Sequence, residues 1–188
     1  ILHKLKRKPT VVLLFTVCIH HFMGCDLEYI YRTLRERFPE QRFVDCYMDP
    51  IMQKGGMTPD QKLRMAMYDC LEEREKNPRQ INIVGNDLAL QPDCEMFALL
   101  KAGGYTVKDI TACETFEEYL SMAESFLNIV TYPAARAGGE KLSERLGMKF
   151  LYLPQTFDYR EIDRELALLA ETLGLAAPDT TSLREKCE

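Results

Sequence analysis

The chain has 188 residues, 46% of them hydrophobic and 28% charged, with a formal charge of −5. That composition fits a globular protein with one sizeable core or two small lobes and argues against disorder. The acidic balance leaves no basic stripe for nucleic acid, because Lys4, Lys6, Arg7 and Lys8 form the one basic cluster and read as a solvated edge ahead of a strand.

No apolar run approaches the roughly 20 residues of a membrane helix. The basic start leads into a short strand-like segment without a signal-peptide cleavage site. Seven cysteines, an odd number without paired spacings, point to a reducing, cytoplasmic setting. The chain opens on Ile1-Leu-His-Lys with no initiator Met, which reads as a piece cut from a longer protein.

The apolar run Val11 to Val17 predicts a buried parallel strand, followed by a loop with His20, His21 and Gly24. A helix follows from Asp26 to about Arg37, with Leu27, Ile30, Tyr31 and Leu34 on one face. Arg42 to Met48 is a second strand, and Asp49 to Met57 a loop with Pro50, Gly55 and Gly56. Thr58-Pro59-Asp60-Gln61 is a capping box with proline at the first helical position, opening a helix to about Glu75. Charged residues 72–79, interrupted by Asn77-Pro78, mark a boundary between a first lobe, 1–77, and a second, 78–188.

Four further alternations follow. Strand Ile81 to Val84 leads to a loop from Gly85 to Gln91 and a helix opened by Pro92 and stopped by Gly103-Gly104. Tyr105 to Thr111 is a strand, and Thr115-Phe-Glu-Glu118 a second capping box. Leu127 to Thr131 is a strand, Pro133 opens a helix closed by Gly147, and Lys149 to Leu153 is the last strand. Asp158-Tyr-Arg-Glu161 caps a long helix ending at Gly174. Such alternation predicts an α/β protein with Rossmann-like, doubly wound parallel sheets in two lobes, the first incomplete with two strands.

Cys18 stands where the first strand ends, the usual address of a ligand-facing side chain in an open parallel sheet. From spacing alone it is either a small buried hydrophobe or a ligand. Cys18, His20, His21 and Cys25 also raise zinc, but zinc sites pair short spacings at two places and one cluster occurs here. Asp26 reads as an N-cap, with an anion at the helix N-terminus as the alternative. One glycine after Ile81-Asn-Ile-Val falls far short of GxGxxG, so nicotinamide and flavin are unsupported. Cys46, Cys70, Cys94 and Cys113 read as structural or exposed thiols, and Cys187 carries no assignment. There is no GxSxG elbow, Walker A loop or HExxH.

The order of motifs resembles the nitrogenase component 1 family, which includes molybdenum–iron protein subunits, cofactor-assembly scaffolds and protochlorophyllide or tetrapyrrole reductase subunits. Thr16-Val-Cys18-Ile-His-His-Phe-Met-Gly24-Cys-Asp26-Leu-Glu28 is similar to the family's strand, cysteine, glycine and acidic helix start. Ile81-Asn-Ile-Val-Gly85-Asn-Asp87 resembles the start of its next Rossmann-like domain. Phe126-Leu-Asn128-Ile-Val130, Arg136 and Glu144-Arg-Leu-Gly147-Met-Lys-Phe-Leu resemble a later strand and helix. The likeness covers roughly Thr10 to Leu175.

The resemblance implies that the cysteine at the position of Cys18 ligates an iron–sulfur cluster at the interface with a second component 1-type subunit. It implies electrons from an ATP-dependent iron–sulfur reductase and an unidentified substrate. The expected pocket is a crevice lined by His20, His21, Asn86, Asp87, Tyr132 and Gln155. Two departures stand out: Cys25 replaces the first acid of the usual Gly-Asp-Asp, and Tyr132 stands where the catalytic subunit carries a cofactor cysteine. The second disfavours dinitrogen reduction. The leading expectation is a fragment of a component 1-like oxidoreductase subunit, inactive and without its cluster when isolated. The alternatives are a non-catalytic scaffold or carrier for a metallocluster or tetrapyrrole precursor, and a hinged α/β module binding a small polar ligand.

Overall fold

The computed structural model describes residues 2–48 and 56–181, and its strands and helices alternate along the chain. β1 (Val11–Val17) pairs in parallel with β2 (Arg42–Met48), Val11 opposite Arg42 and Val17 opposite Met48. The chain between them forms α1 (Cys18–Phe22) and α2 (Leu27–Arg37), and α3 (Pro59–Tyr68) leads on toward the second sheet. That sheet comprises β3 (Asn77–Val84), β4 (Thr106–Asp109), β5 (Ser125–Val130) and β6 (Lys149–Tyr152), all parallel in the order β4-β3-β5-β6. Its crossovers carry α4 (Glu95–Ala102), α5 (Phe116–Leu120) and α6 (Arg136–Arg145), and α7 (Tyr159–Leu173) follows β6. No helix among the described residues is long and apolar enough to cross a membrane.

Successive residues of a strand point to opposite faces, and the second sheet is apolar on both. Ile81, Ile83, Leu127 and Ile129 pack with Leu100 of α4 and Leu169 of α7. Val84 and Val130 pack on the other face with Leu142 of α6, Tyr68 of α3, and Val44 and Cys46 of β2. Helices on both faces make the sheet doubly wound. The α/β, Rossmann-like expectation is met. A chain of amides also runs under this sheet: Asn82 Nδ2 donates to Asn128 Oδ1 at 2.7 Å, and Asn128 Nδ2 to Ser143 Oγ at 2.9 Å.

Five local expectations are corrected. β1 is not a buried strand: Leu13, Phe15 and Val17 are exposed and only Thr16 is buried. Among the described residues β1 pairs with β2 alone, and Tyr31 of α2 covers the Thr16 side, its hydroxyl 3.0 Å from Thr16 Oγ1. The loop expected after β1 begins with the single turn of α1. The helix expected to reach Glu75 stops at Tyr68, where Arg145 caps its end by donating to the carbonyl oxygens of Tyr68 and Leu71. β4 ends at Asp109, whose carboxylate accepts from the N–H and hydroxyl of Thr111 and turns the chain into a short 3-10 segment. β3 begins at Asn77, four residues earlier than its apolar run. Pro50, Gly55 and Cys187 lie outside the described residues.

Candidate functional site

Two places gather the chemistry. The first is the carboxyl end of β1. Cys18 is the first residue of α1 and half-buried. Val17 has no side chain able to cap that turn, and its N–H donates instead to His20 Nδ1 at 3.1 Å. Gly24, at φ +65°, turns the chain back, so that Cys25 N–H reaches His20 O at 2.9 Å. Asp26 is an N-cap, accepting from Tyr29 N–H at 2.9 Å. His21 is exposed. Around this corner the surface is apolar: Phe15, Ile19, Phe22 and Met23 are all exposed, the last two by 68% and 71%.

The second place is the crevice beyond the carboxyl ends of β3 and β5. These adjacent strands send their crossovers to opposite faces, which makes this the switch point where open α/β sheets bind ligands. A cleft of about 270 Å³ opens there, lined by Asp60, Arg64, Tyr68, Asn86, Asp87 and Thr111 among others. Arg64, 9% exposed, organises it. Its guanidinium donates to the carbonyl oxygen of Gly85 and to Asp87 Oδ1 at 2.8 Å, and Nε lies 3.2 Å from Asp60 Oδ1. It also lies over the Tyr132 ring, 4.8 Å from the centroid. Burial works against its charge, but Asp87 and Asp60 outweigh burial and hold its pKa above the ordinary value.

Gly85 has φ +83°, and a Cβ there would stand 2.1 Å from Ala135 Cβ and 2.6 Å from the Tyr68 hydroxyl. Only glycine lets the β3 loop pass this close. Burial raises the Tyr68 pKa, and its hydroxyl, beside Arg64, lacks a well-formed hydrogen bond among the described residues. Asn86 Nδ2 donates to Leu88 O and to Asp109, while its Oδ1 is buried and unpartnered among the described residues.

Of the expected pocket, Asn86 and Asp87 line this cleft, and Tyr132 lies beside it under the Arg64 guanidinium. Gln155 lines a neighbouring cleft, and His20 and His21 line neither. The sequence reading missed Arg64. Its signal was the spacing Asp60, Arg64, Tyr68, one residue per turn on one helix face. No cysteine or histidine lines the Arg64 cleft, so its residues do not fit a metallocofactor held there by thiolate or imidazole. No group of three or more His, Cys, Asp or Glu side chains among the described residues is arranged to hold a metal ion. A cluster at Cys18 would therefore need its remaining ligands from outside the described residues. Cys46 and Cys70 are buried, and burial raises both thiols and Cys113, which keeps them from thiolate chemistry.

No curated protein matches the chain. Among solved structures, one described as "Nitrogenase Cp1 at pH 5" superposes with a TM-score of 0.64 at 16% identity, over 88% of this chain and 34% of that one. That likeness shows the fold, and the chain spans about a third of the length of that relative. The model of the family "Nitrogenase component 1 type Oxidoreductase" matches residues 2–186. With nearly its whole length so matched, the chain belongs to the nitrogenase component 1 type oxidoreductase family.

Proposed function

We propose that the chain is part of a component 1-like reductase subunit in which Cys18 supplies one thiolate to an iron–sulfur cluster shared with a second subunit. The observation that carries this reading is the setting of Cys18: a half-buried thiol at a strand end, bordered by exposed Phe15, Ile19, Phe22 and Met23. Exposed apolar surface of this kind is what a partner protein covers. When bound, the cluster supplies one-electron transfer, fed by an ATP-dependent iron–sulfur reductase. This chain's own residues position the thiol: β1 aims it, and the His20 contact with Val17 holds the turn that begins with it.

In this reading the crevice of Arg64, Asn86, Asp87 and Tyr132 is the polar wall facing the substrate. Residues 1–77 and 78–188 are the two lobes on either side of it. Six free cysteines among the described residues suit a reducing, cytoplasmic setting.

Anaerobic reconstitution of the protein with iron and sulfide, in the presence of its partner subunit, should give visible charge-transfer absorbance. Cys18→Ala should lose it and Cys46→Ala should keep it. Undiminished absorbance in Cys18→Ala removes the ligand assignment. Turnover on adding the cognate reductase separates a reductase subunit from a carrier, which holds the cluster without consuming electrons.

A further inference from the structure

On the other face of the second sheet lies a cleft of about 300 Å³ that the iron–sulfur reading does not use. It is formed by the loop before α4, the first turn of α4, the residues after β5 and β6, and the inner side of α7. Most of its wall is apolar, with Met96, Leu153, Ile162 and Leu166 prominent. Two carboxylates, Glu95 and Glu165, stand on opposite helices, α4 and α7, and no lysine, arginine or histidine lines it. Neither carboxylate has an ion-pair partner among the described residues.

A separate observation points to a ligand. Thr131, 5% exposed, forms part of the wall, and its hydroxyl has no hydrogen-bond partner among the described residues. Buried hydroxyls are normally satisfied, and leaving one unpaired costs about 1–3 kcal/mol. Gln155 adds a second side chain able to donate or accept at the rim.

We propose that this cleft binds a small organic ammonium ion, its apolar body on Met96, Leu153 and Leu166 and its charged nitrogen between Glu95 and Glu165. Charge decides the sign of the ligand: an anion would meet two carboxylates with no cation to offset them. The apolar wall decides its character, because a fully hydrated ion gains nothing from hydrocarbon. Glu165 is destabilised as an anion in the free protein, first by burial and then by Glu161 on the preceding turn of α7, and a bound cation opposes both effects. The proposal is independent of the cluster at Cys18, and Cys18→Ala should bind the amine as the parent does.

Three probes of matched shape test it: cyclohexylamine, cyclohexanol and cyclohexanecarboxylate, titrated into the protein near neutral pH and followed by calorimetry and amide NMR shifts. The amine should bind saturably and shift amides of Glu95, Thr131 and Glu165, the alcohol more weakly, and the carboxylate not at all. Glu165→Gln should weaken the amine about fivefold, the size of a half-exposed charge pair, and leave the alcohol unchanged. Added salt should weaken the amine alone. Equal binding of amine and alcohol, an unaffected amine in Glu165→Gln, or no saturable shift at these residues overturns the proposal. The NMR spectrum of the variant separates lost affinity from lost fold.

Discussion

At Arg64 one guanidinium, 9% exposed, meets the carbonyl oxygen of Gly85, the carboxylates of Asp87 and Asp60, and the face of Tyr132. These partners come from α3 and from the loops after β3 and β5, so a single side chain ties together the walls of the crevice. Asp87 is largely exposed and Asp60 half-exposed, so both carboxylates can regain water when the arginine is removed. The buried carbonyl does not, and the stem of the arginine also packs on the ring. Arg64→Met should therefore destabilise the protein by about 2 kcal/mol, read as a shift in urea midpoint at unchanged slope. Arg64→Lys should recover only part of this, because a point charge cannot span a carbonyl and two carboxylates as a planar fork does. An unchanged midpoint in Arg64→Met would mean that Arg64 is not the tie.

Among the elements, α7 has the clearest amphipathic logic. Leu166, Leu169 and Ala170 are buried, Asp158 caps its first turn by accepting from Arg160 N–H, and Gly174 ends it in the left-handed region at φ +67°. Glu165 is its anomaly. Its folded-state pKa is raised by burial and by Glu161, so the folded protein binds this proton more tightly than the unfolded chain. The resulting penalty is present when pH exceeds the raised value and vanishes below the ordinary carboxylate range. Glu165→Gln should accordingly raise the melting temperature near neutral pH, and the advantage should fade as pH falls through the carboxylate range. A constant difference across that range would show that Glu165 is not the titrating group.

Helix starts were the most legible elements in the sequence, because a cap acts within one turn. Thr58 and Thr115 each accept from the N–H three residues on, as their spacing predicted, and Asp158 caps its helix through the N–H of Arg160, two residues on. The end of α3 was not legible, since Arg145, which caps it, lies far along the chain. Nor was the exposure of β1: an apolar run reports what a strand could bury, and the neighbours that do the burying are set by tertiary structure. The same division holds at the site. The place of Cys18 at a strand end and of Gly85 after one could be read locally, and the structure puts both there. Arg64 left only its helical spacing with Asp60 and Tyr68, because its contacts with Gly85 and Asp87 come from a long side chain reaching the loop after β3.

Across the whole molecule, one apolar interior joins the two sheets. Val44 and Cys46 of β2, Tyr68 of α3 and Leu71 share a cluster with Val84, Met122, Val130 and Leu142 from beyond residue 78. Arg74, ahead of β3, also pairs with Glu117 and Glu124 on the far side. Unfolding in urea should be one cooperative event, with far-ultraviolet circular dichroism and tyrosine fluorescence giving coincident transitions. With nine tyrosines and no tryptophan, the second probe samples both sheets. Two separated transitions would mean that the sheets are stable apart.

That common interior also limits how a molecule could reach the crevice. Swinging one sheet from the other, as a hinged binding protein does, would wet the cluster at about 25 cal/mol for every Å² of apolar surface exposed. The cleft beside Arg64 already stands open with the two sheets packed together, so a ligand would meet a standing notch instead of a closing jaw.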